Sequence, residues 1–377
     1  MEEKRKIRQS NFELMRIVSM FMIVVWHFIY NTGFMESTTG SLHFLLVFIW
    51  FIFIVHVNSF IILTGYFQCD KKIKVRKLIE LNNSAWFYKV LFLIIFLALG
   101  IAELNNVDVM RLISPITLFN QYWFLAIYIL LYMLSPFLNK LVNFLTKQQY
   151  HKMLMVLFII TSILPTVSGQ LVYDNELGHS IISFVLLYFI GAYLKKYPLK
   201  ENYYFKKLTV SLIRIIFLFL FFFLALVNGL LYLFAEQMIV QDNSIIKELG
   251  NIIILMRTGF DNPIIIMQSI CFFIYFSCLN IKSKVINFIS SRSFGVYLIH
   301  DNPLVRTILY KPLIMSNFTP IVILIVFIAS IVVFLICIMI EFIRKSIFKL
   351  FRNSKLALKL RNKYQDYFKS LNLNIPW

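Results

Sequence analysis

Glu13, Arg16 and His27 interrupt one apolar stretch, ELMRIVSMFMIVVWHF, at residues 13–28. Eleven residues separate Arg16 from His27, about three helical turns, so the two side chains fall on nearly one face, roughly 16 Å apart along the axis. Glu13 precedes Arg16 by three residues and can pair with it. The chemistry this spacing offers is a cation near one end of a helix and a titratable imidazole deep along it. Arginine suits an anionic group; imidazole suits proton transfer near neutral pH. Two plainer readings stay open: Arg16 snorkels to headgroups, and His27 hydrogen-bonds a neighbouring helix. Against them, ionisable groups inside a membrane segment usually serve function.

The elements that must position these residues follow from composition. Of 377 residues, 60% are hydrophobic and 15% charged, with mean hydropathy +0.78. A soluble domain cannot bury that much apolar surface, so lipid must solvate much of it. Crossing a bilayer takes roughly 17–25 apolar residues. Ten runs are expected to do so: about 11–31, 44–67, 84–101, 121–141, 152–168, 180–195, 211–234, 262–280, 287–304 and 318–343. The sixth is short, and the ninth contains Arg292, Gly295, His300 and Asp301. The predicted fold class is an all-α integral membrane protein, a bundle of about ten transmembrane helices with both termini cytoplasmic.

Charge supports the orientation. With the N-terminus inside, 28 of the 37 Lys and Arg fall in inner segments and five in outer loops, as the positive-inside rule requires. Acidic residues such as Glu103, Asp108, Asp174 and Asp242 fall in outer loops. The net charge of +19 therefore marks a cytoplasmic, membrane-facing surface, and no nucleic-acid partner is expected. Residues 1–343 read as one membrane domain. Residues 344–377 read as a basic tail, either amphipathic on the inner leaflet or unstructured. Cys69, Cys271, Cys278 and Cys337 lie in or beside apolar segments, and neither a disulfide nor a metal site is expected from their spacing. The first span has no small-residue cleavage site after it and is expected to stay as an anchor.

Four stretches resemble a known family. NFELMRIVSMFMIVVWHF (11–28) is similar to the first helix of membrane acyltransferase family 3, in which an acidic residue, an arginine and, eleven residues on, a histidine recur. VNSFIILTGYFQCDKKIKVRKL (57–78), QYWFLAIYILLYMLSPFLNKL (121–141) and SSRSFGVYLIHDNPLVR (290–306) resemble later segments in the family's order. The resemblance spans about 11–343. It implies a multi-span enzyme of the bacterial cytoplasmic membrane that moves an acyl group, usually acetyl from acetyl-CoA, to a hydroxyl of a cell-envelope glycan.

The resemblance gives the residues roles. Arg16 would hold donor phosphate, with Lys71, Lys72, Lys74, Arg76 and Lys77 of the following basic loop as further cations. For the loop, the positive-inside signal is an equal explanation. His27 would act on the acceptor hydroxyl as a general base, or carry the acyl group itself. Glu13 would orient Arg16. Asn58 and Ser59 would orient the thioester or the imidazole, with helix packing as the plain alternative. Tyr122, Trp123, Tyr297 and His300 would line the acceptor side; for Tyr122 and Trp123 an interfacial aromatic belt explains as much. His56 stands where a small residue is usual in the family, and the sequence supplies no account of it. His43, His151 and His179 are expected to be solvated.

The expected partners are a polysaccharide or lipid-linked glycan acceptor, membrane lipids, and either a second copy of the chain or an envelope-assembly protein. The rival from another class is a transporter or flippase for an envelope glycan or lipid. Inverted repeats and broken helices would mark one, and the sequence displays neither. Motifs for nucleotide hydrolysis, zinc proteolysis and the hydrolase elbow are absent from the sequence.

Overall fold

The computed structural model describes residues 8–101, 103, 122–168, 176–201, 203–310 and 321–352. Expectations for Asp108, Arg111, Asp174, Lys311 and the tail beyond 352 lie outside the described residues. All regular structure among the described residues is helical. The principal helices are α1 (Ser10–Asn31), α2 (Gly40–Phe53), α3 (His56–Gln68), α4 (Val75–Ala98), α5 (Trp123–Phe144), α6 (Lys147–Phe158), α7 (Ile181–Lys196), α8 (Val210–Ile239), α9 (Ser244–Thr258), α10 (Pro263–Ser277), α11 (Lys284–Ser290), α12 (Ser293–His300), α13 (Pro303–Leu309) and α14 (Ile321–Arg352). A π turn at Ile159–Ile163 carries α6 on to Leu164–Ser168.

Among the described residues seven helices are long and apolar enough to cross a membrane: Ser10–Asn31, Gly40–Gln68, Val75–Ala98, Trp123–Phe144, Lys147–Ser168, Val210–Ile239 and Ile321–Leu350. The described residues of all ten expected stretches are mainly helical, and three stretches fall short of that length for visible reasons. The sixth is the 16-residue α7 and the eighth the 15-residue α10, which begins at Pro263 after the Asn262 cap. The ninth breaks between α11 and α12, where Arg292 caps the second piece. Helix α14 runs through residue 343 to Arg352, so the expected tail begins as an extension of the last helix.

Local sequence explains the ends. Glu13 sits in the first turn of α1, where a carboxylate complements the helix dipole. Gly33 follows α1 at φ 69°, a backbone form that glycine adopts without strain. Thr146 and Gln149 close a capping box on α6. Helix α8 is apolar on all sides, with Phe219, Phe223 and Phe234 exposed, as a lipid-facing helix requires. Helices α3 and α7 pack closely: a Cβ on Gly65 would strike the Tyr188 backbone, and one on Gly191 would strike that of Ile62. Small residues permit such backbone approach, a common device between helices in lipid.

The polar contacts sort into two ends. At one end Lys195 reaches Asp70 at 2.6 Å, Lys196 donates to the Val142 carbonyl at 2.6 Å, and Asn139 donates to the Gln68 carbonyl at 2.9 Å. Arg344 binds the buried Glu341, which also accepts from Tyr88 at 2.6 Å. The start of α1 belongs here too: Asn11 donates to the Phe276 carbonyl at 3.0 Å. This is the basic end. At the other end lie His27, His300, Asp301, Phe260, Trp123 and the His43–Glu236 pair, 2.7 Å apart.

Candidate active site

A cavity of about 830 Å³ runs along α1, within the roughly 300–1,000 Å³ usual for small-molecule sites. Arg16, Met20, Ile23, Trp26 and His27 line it. Their spacing is one helical stripe, so one face of α1 forms a continuous wall from the basic end to His27. Arg8 and Lys77 line its basic end; Arg306 lies at the far end.

At the basic end Glu13 accepts from Arg16 Nη1 at 2.7 Å through Oε1 and from Ser290 Oγ at 2.5 Å through Oε2. Both carboxylate oxygens are thus occupied in fixing Arg16 and tying α1 to α11. The Arg16 guanidinium also stands 5.4 Å from the Phe67 ring. Lys77 donates to Tyr128 Oη at 2.9 Å inside the cavity. Lys71, Lys72, Lys74 and Arg76 are exposed at this end and outside the cavity wall, and Arg76 is paired with Glu80 at 2.9 Å.

At the other end His27 is held from across the bundle. His300 Nδ1 lies 2.6 Å from the Val296 carbonyl, which can only accept, so Nδ1 carries the proton. A neutral His300 then offers Nε2 as a lone pair. His27 Nδ1 faces that nitrogen at 3.1 Å and Asp301 Oδ1 at 3.3 Å. Both are acceptors, so His27 Nδ1 is the protonated nitrogen and Nε2 keeps its lone pair. A carboxylate that fixes a histidine tautomer in this way prepares the other ring nitrogen as a base. Asp301 is in turn bound by Arg306, through Nε at 2.8 Å and through Nη2. His27, His300 and Asp301 stand close enough to resemble a cation site. The oxygen that faces His27 already carries Arg306, so the hydrogen-bonded arrangement accounts for the cluster.

The remaining predicted residues separate. Trp123 and Tyr297 line the cavity. Tyr122 does not: it is buried, donates to the Leu298 carbonyl at 2.8 Å and accepts from Asn302 at 3.0 Å. His300 stands behind His27 rather than in the wall. Asn58 and Ser59 are fully buried and outside the wall. Asn58 donates to the Phe260 carbonyl at 2.9 Å, and Ser59 to the Val55 carbonyl at 2.8 Å. Each thereby satisfies a backbone carbonyl, while Asn58 Oδ1 has no partner of its own.

The expectation of solvated loop histidines fails at two positions. His179 lines the cavity, with its ring 4.3 Å from Trp123 and 5.2 Å from Phe260. Burial holds its imidazole below the ordinary value, so it is neutral at pH 7. His43 is paired with Glu236. His151 sits at 2.5 Å from the Tyr193 hydroxyl on an exposed surface. Asp301 and Arg306 received no site role from the sequence. The signal for Asp301 was its charge within a span; none marked Arg306, which counted as a loop cation.

A family model described as an acyltransferase domain, that of acyltransferase family 3, matches residues 9–341. The chain belongs to this family. No curated protein and no solved structure matches it. Family membership and the seven long apolar helices make the chain a multi-pass membrane acyltransferase, and the transporter reading gives way. In this acyltransferase the matched region contains both the Arg16 end of the cavity and the His27–Asp301 end.

Proposed function

We propose that this acyltransferase moves an acetyl group from acetyl-CoA to a hydroxyl of an envelope polysaccharide, capsular or exopolysaccharide, or of its lipid-linked precursor, with His27 as general base. It would sit in a bacterial cytoplasmic membrane with ten crossings and both termini inside. Contacts that place successive helix ends alternately at the basic and the His27 end support that count.

One observation carries the reading. His27 presents an unprotonated Nε2 to a cavity that also contains Arg16. The residues fit an anionic donor. Arg16 would take phosphate at the basic end, aided by Lys77 within the cavity and by Lys71, Lys72, Lys74 and Arg76 outside it. Met20 and Ile23 would flank an apolar arm between the two ends. His27 Nε2 would take the proton from the attacking hydroxyl, a role worth about 10²–10⁴-fold. Asp301 and His300 would hold the ring and stabilise the imidazolium that forms. Trp123 and Tyr297 would offer ring faces to the acceptor.

The test compares O-acetyl content of purified surface glycans from cells that express the wild type or His27→Gln. Glutamine keeps size and some hydrogen bonding but cannot take up the proton, so acetylation should fall by at least ~10²-fold. Substantial acetylation by a well-expressed His27→Gln variant would return His27 to packing.

A further inference from the structure

Acyl transfer needs more than a base. As the hydroxyl attacks, negative charge gathers on the carbonyl oxygen, and donors aimed at that oxygen stabilise it. The cavity wall beside His27 holds two buried N–H rings with nothing to donate to. His56 is 2% exposed, and neither ring nitrogen has a hydrogen-bond partner. Trp26 Nε1 is likewise buried and unpartnered. Both residues line the cavity. An indole N–H only donates, so its missing partner is an acceptor; a neutral imidazole brings one N–H of its own.

Trp26 stands close to both His27 and His56. Trp26 lies 5.7 Å from the His27 ring and 5.6 Å from the His56 ring, centre to centre. Trp26 is clamped by Trp50 at 4.3 Å and stacked on Tyr30 at 5.1 Å. His56 packs edge-on to Phe260 at 5.6 Å. The donors are therefore fixed before any substrate enters, as preorganised stabilisation requires. His56 also opens α3 just after the break at Ile54–Val55. The positive end of that helix's dipole thus lies beside its ring, a further bias toward negative charge.

We propose that Trp26 Nε1–H and a ring N–H of His56 form the oxyanion site of this acyltransferase. The inference rests on the acyl-CoA reading above. His27 Nε2 removes the hydroxyl proton while the acceptor oxygen bonds to the thioester carbonyl carbon. The carbonyl π pair moves onto oxygen, where Trp26 and His56 donate to it. Collapse reforms C=O and breaks the C–S bond. The thiolate leaves and takes the proton back from His27 Nε2, so an ester and a free thiol are released.

The experiment uses full-length protein in lipid nanodiscs, with acetyl-CoA as donor, extracted surface glycan as acceptor, and release of free CoA thiol as readout. Trp26→Phe deletes the N–H together with the five-membered half of the indole; His56→Phe deletes both nitrogens; His56→Gln restores an N–H. Each Phe variant should lose ~10²–10³-fold in kcat, the usual cost of one oxyanion donor, with KM for acetyl-CoA within about 2-fold. Glutamine should recover at least ~10-fold over phenylalanine. The His56→Phe variant should melt no lower than the wild type, because an unpaired buried polar group is removed; Trp26→Phe is judged on its kcat and KM alone, since the smaller ring also gives up packing. A structural role predicts the opposite pairing, lower stability with chemistry intact. A kcat within about 3-fold of wild type for either Phe variant, or a change confined to KM, overturns the oxyanion site. Full transfer by His27→Gln, or no CoA release by the wild type, overturns the reading beneath it, and the inference falls with that reading.

Discussion

Asp301→Asn tests the orientation of His27, the proposed base, without touching its ring. The substitution keeps shape and removes charge. Asp301 Oδ1 lies 3.3 Å from His27 Nδ1, an ion-pair contact once the imidazolium forms, and a partly shielded charge pair of this kind should contribute about 1.5–3 kcal/mol. Lost only as the imidazolium forms, that is roughly 10- to 100-fold in kcat, at one decade per 1.36 kcal/mol. Two features set the size. Arg306 binds the same oxygen from the other side, which withdraws part of its charge. His300 Nε2, at 3.1 Å, still accepts from His27 Nδ1 and keeps the tautomer. The loss should therefore fall well short of the ~10⁴-fold that Asp→Asn costs a serine-protease triad. KM for acetyl-CoA should stay within about 2-fold, because the donor's charged end is held elsewhere. Folding is checked separately: the Arg306 side chain is 38% exposed and can turn to water, so melting should drop by far less than the ~3–5 kcal/mol of a fully buried broken pair. The assay is steady-state CoA release from nanodiscs at saturating donor. Residues that act as one unit do not add, so Asp301→Asn combined with His27→Gln should match His27→Gln alone. An unchanged kcat for Asp301→Asn, or a double variant worse by the product of both losses, would refute the coupling.

Arg16→Ala should weaken CoA binding in detergent at least ~10-fold, and Arg16→Lys should restore little of it, since a bidentate phosphate contact needs the guanidinium fork; calorimetry at two salt concentrations checks both. Neutralising Lys71, Lys72, Lys74 and Arg76 together should cost only ~2- to 5-fold and make CoA binding less salt-dependent than in the wild type, because these side chains are exposed and their attraction is screened. Gly65→Ala should lower thermal stability by about 1–3 kcal/mol through overpacking of α3 on α7, and a Tm equal to wild type would show that the two helices separate easily. In a background without the four native cysteines, a cysteine at Asp242 should label from outside the cell and one at Lys140 should not; the reverse would invert the orientation.

The sequence displayed what one helix can display. Glu13, Arg16 and His27 lie within fifteen residues of one another, and helical period alone sets them on one wall. It displayed little of what comes from across the bundle. His300 Nε2 meets His27 because α12 packs on α1, 273 residues away in the chain. Arg306 counted as a loop cation, yet it folds back onto Asp301 within one turn of α13. Asn58, Ser59 and Tyr122 looked like ligand residues because they are polar in apolar company. Their partners turned out to be the carbonyls of Phe260, Val55 and Leu298. Polarity within a span marks a group that needs a partner and leaves open whether a backbone oxygen or a substrate supplies it. Span length was legible where the apolar run is long, as in α1, α5, α8 and α14, whereas α7, α10 and α12 are shorter helices within the bundle.

The wall of rings between Arg16 and Arg306 also bears on the membrane's role as an insulator. A polar passage from one face of a bilayer to the other would leak protons, and each charge that crosses dissipates about 2.3 kcal/mol per 100 mV of potential. Trp26, Trp50, Phe60 and Phe124 contribute ring faces to the cavity wall. A column of water threading them would lose most of its hydrogen bonds, so the passage resists wetting. The same rings that fix the geometry around His27 thus act as an electrical seal. Replacing Phe60 or Trp50 by a small polar residue should register first as a falling membrane potential in energised vesicles, before any change in the glycan is seen.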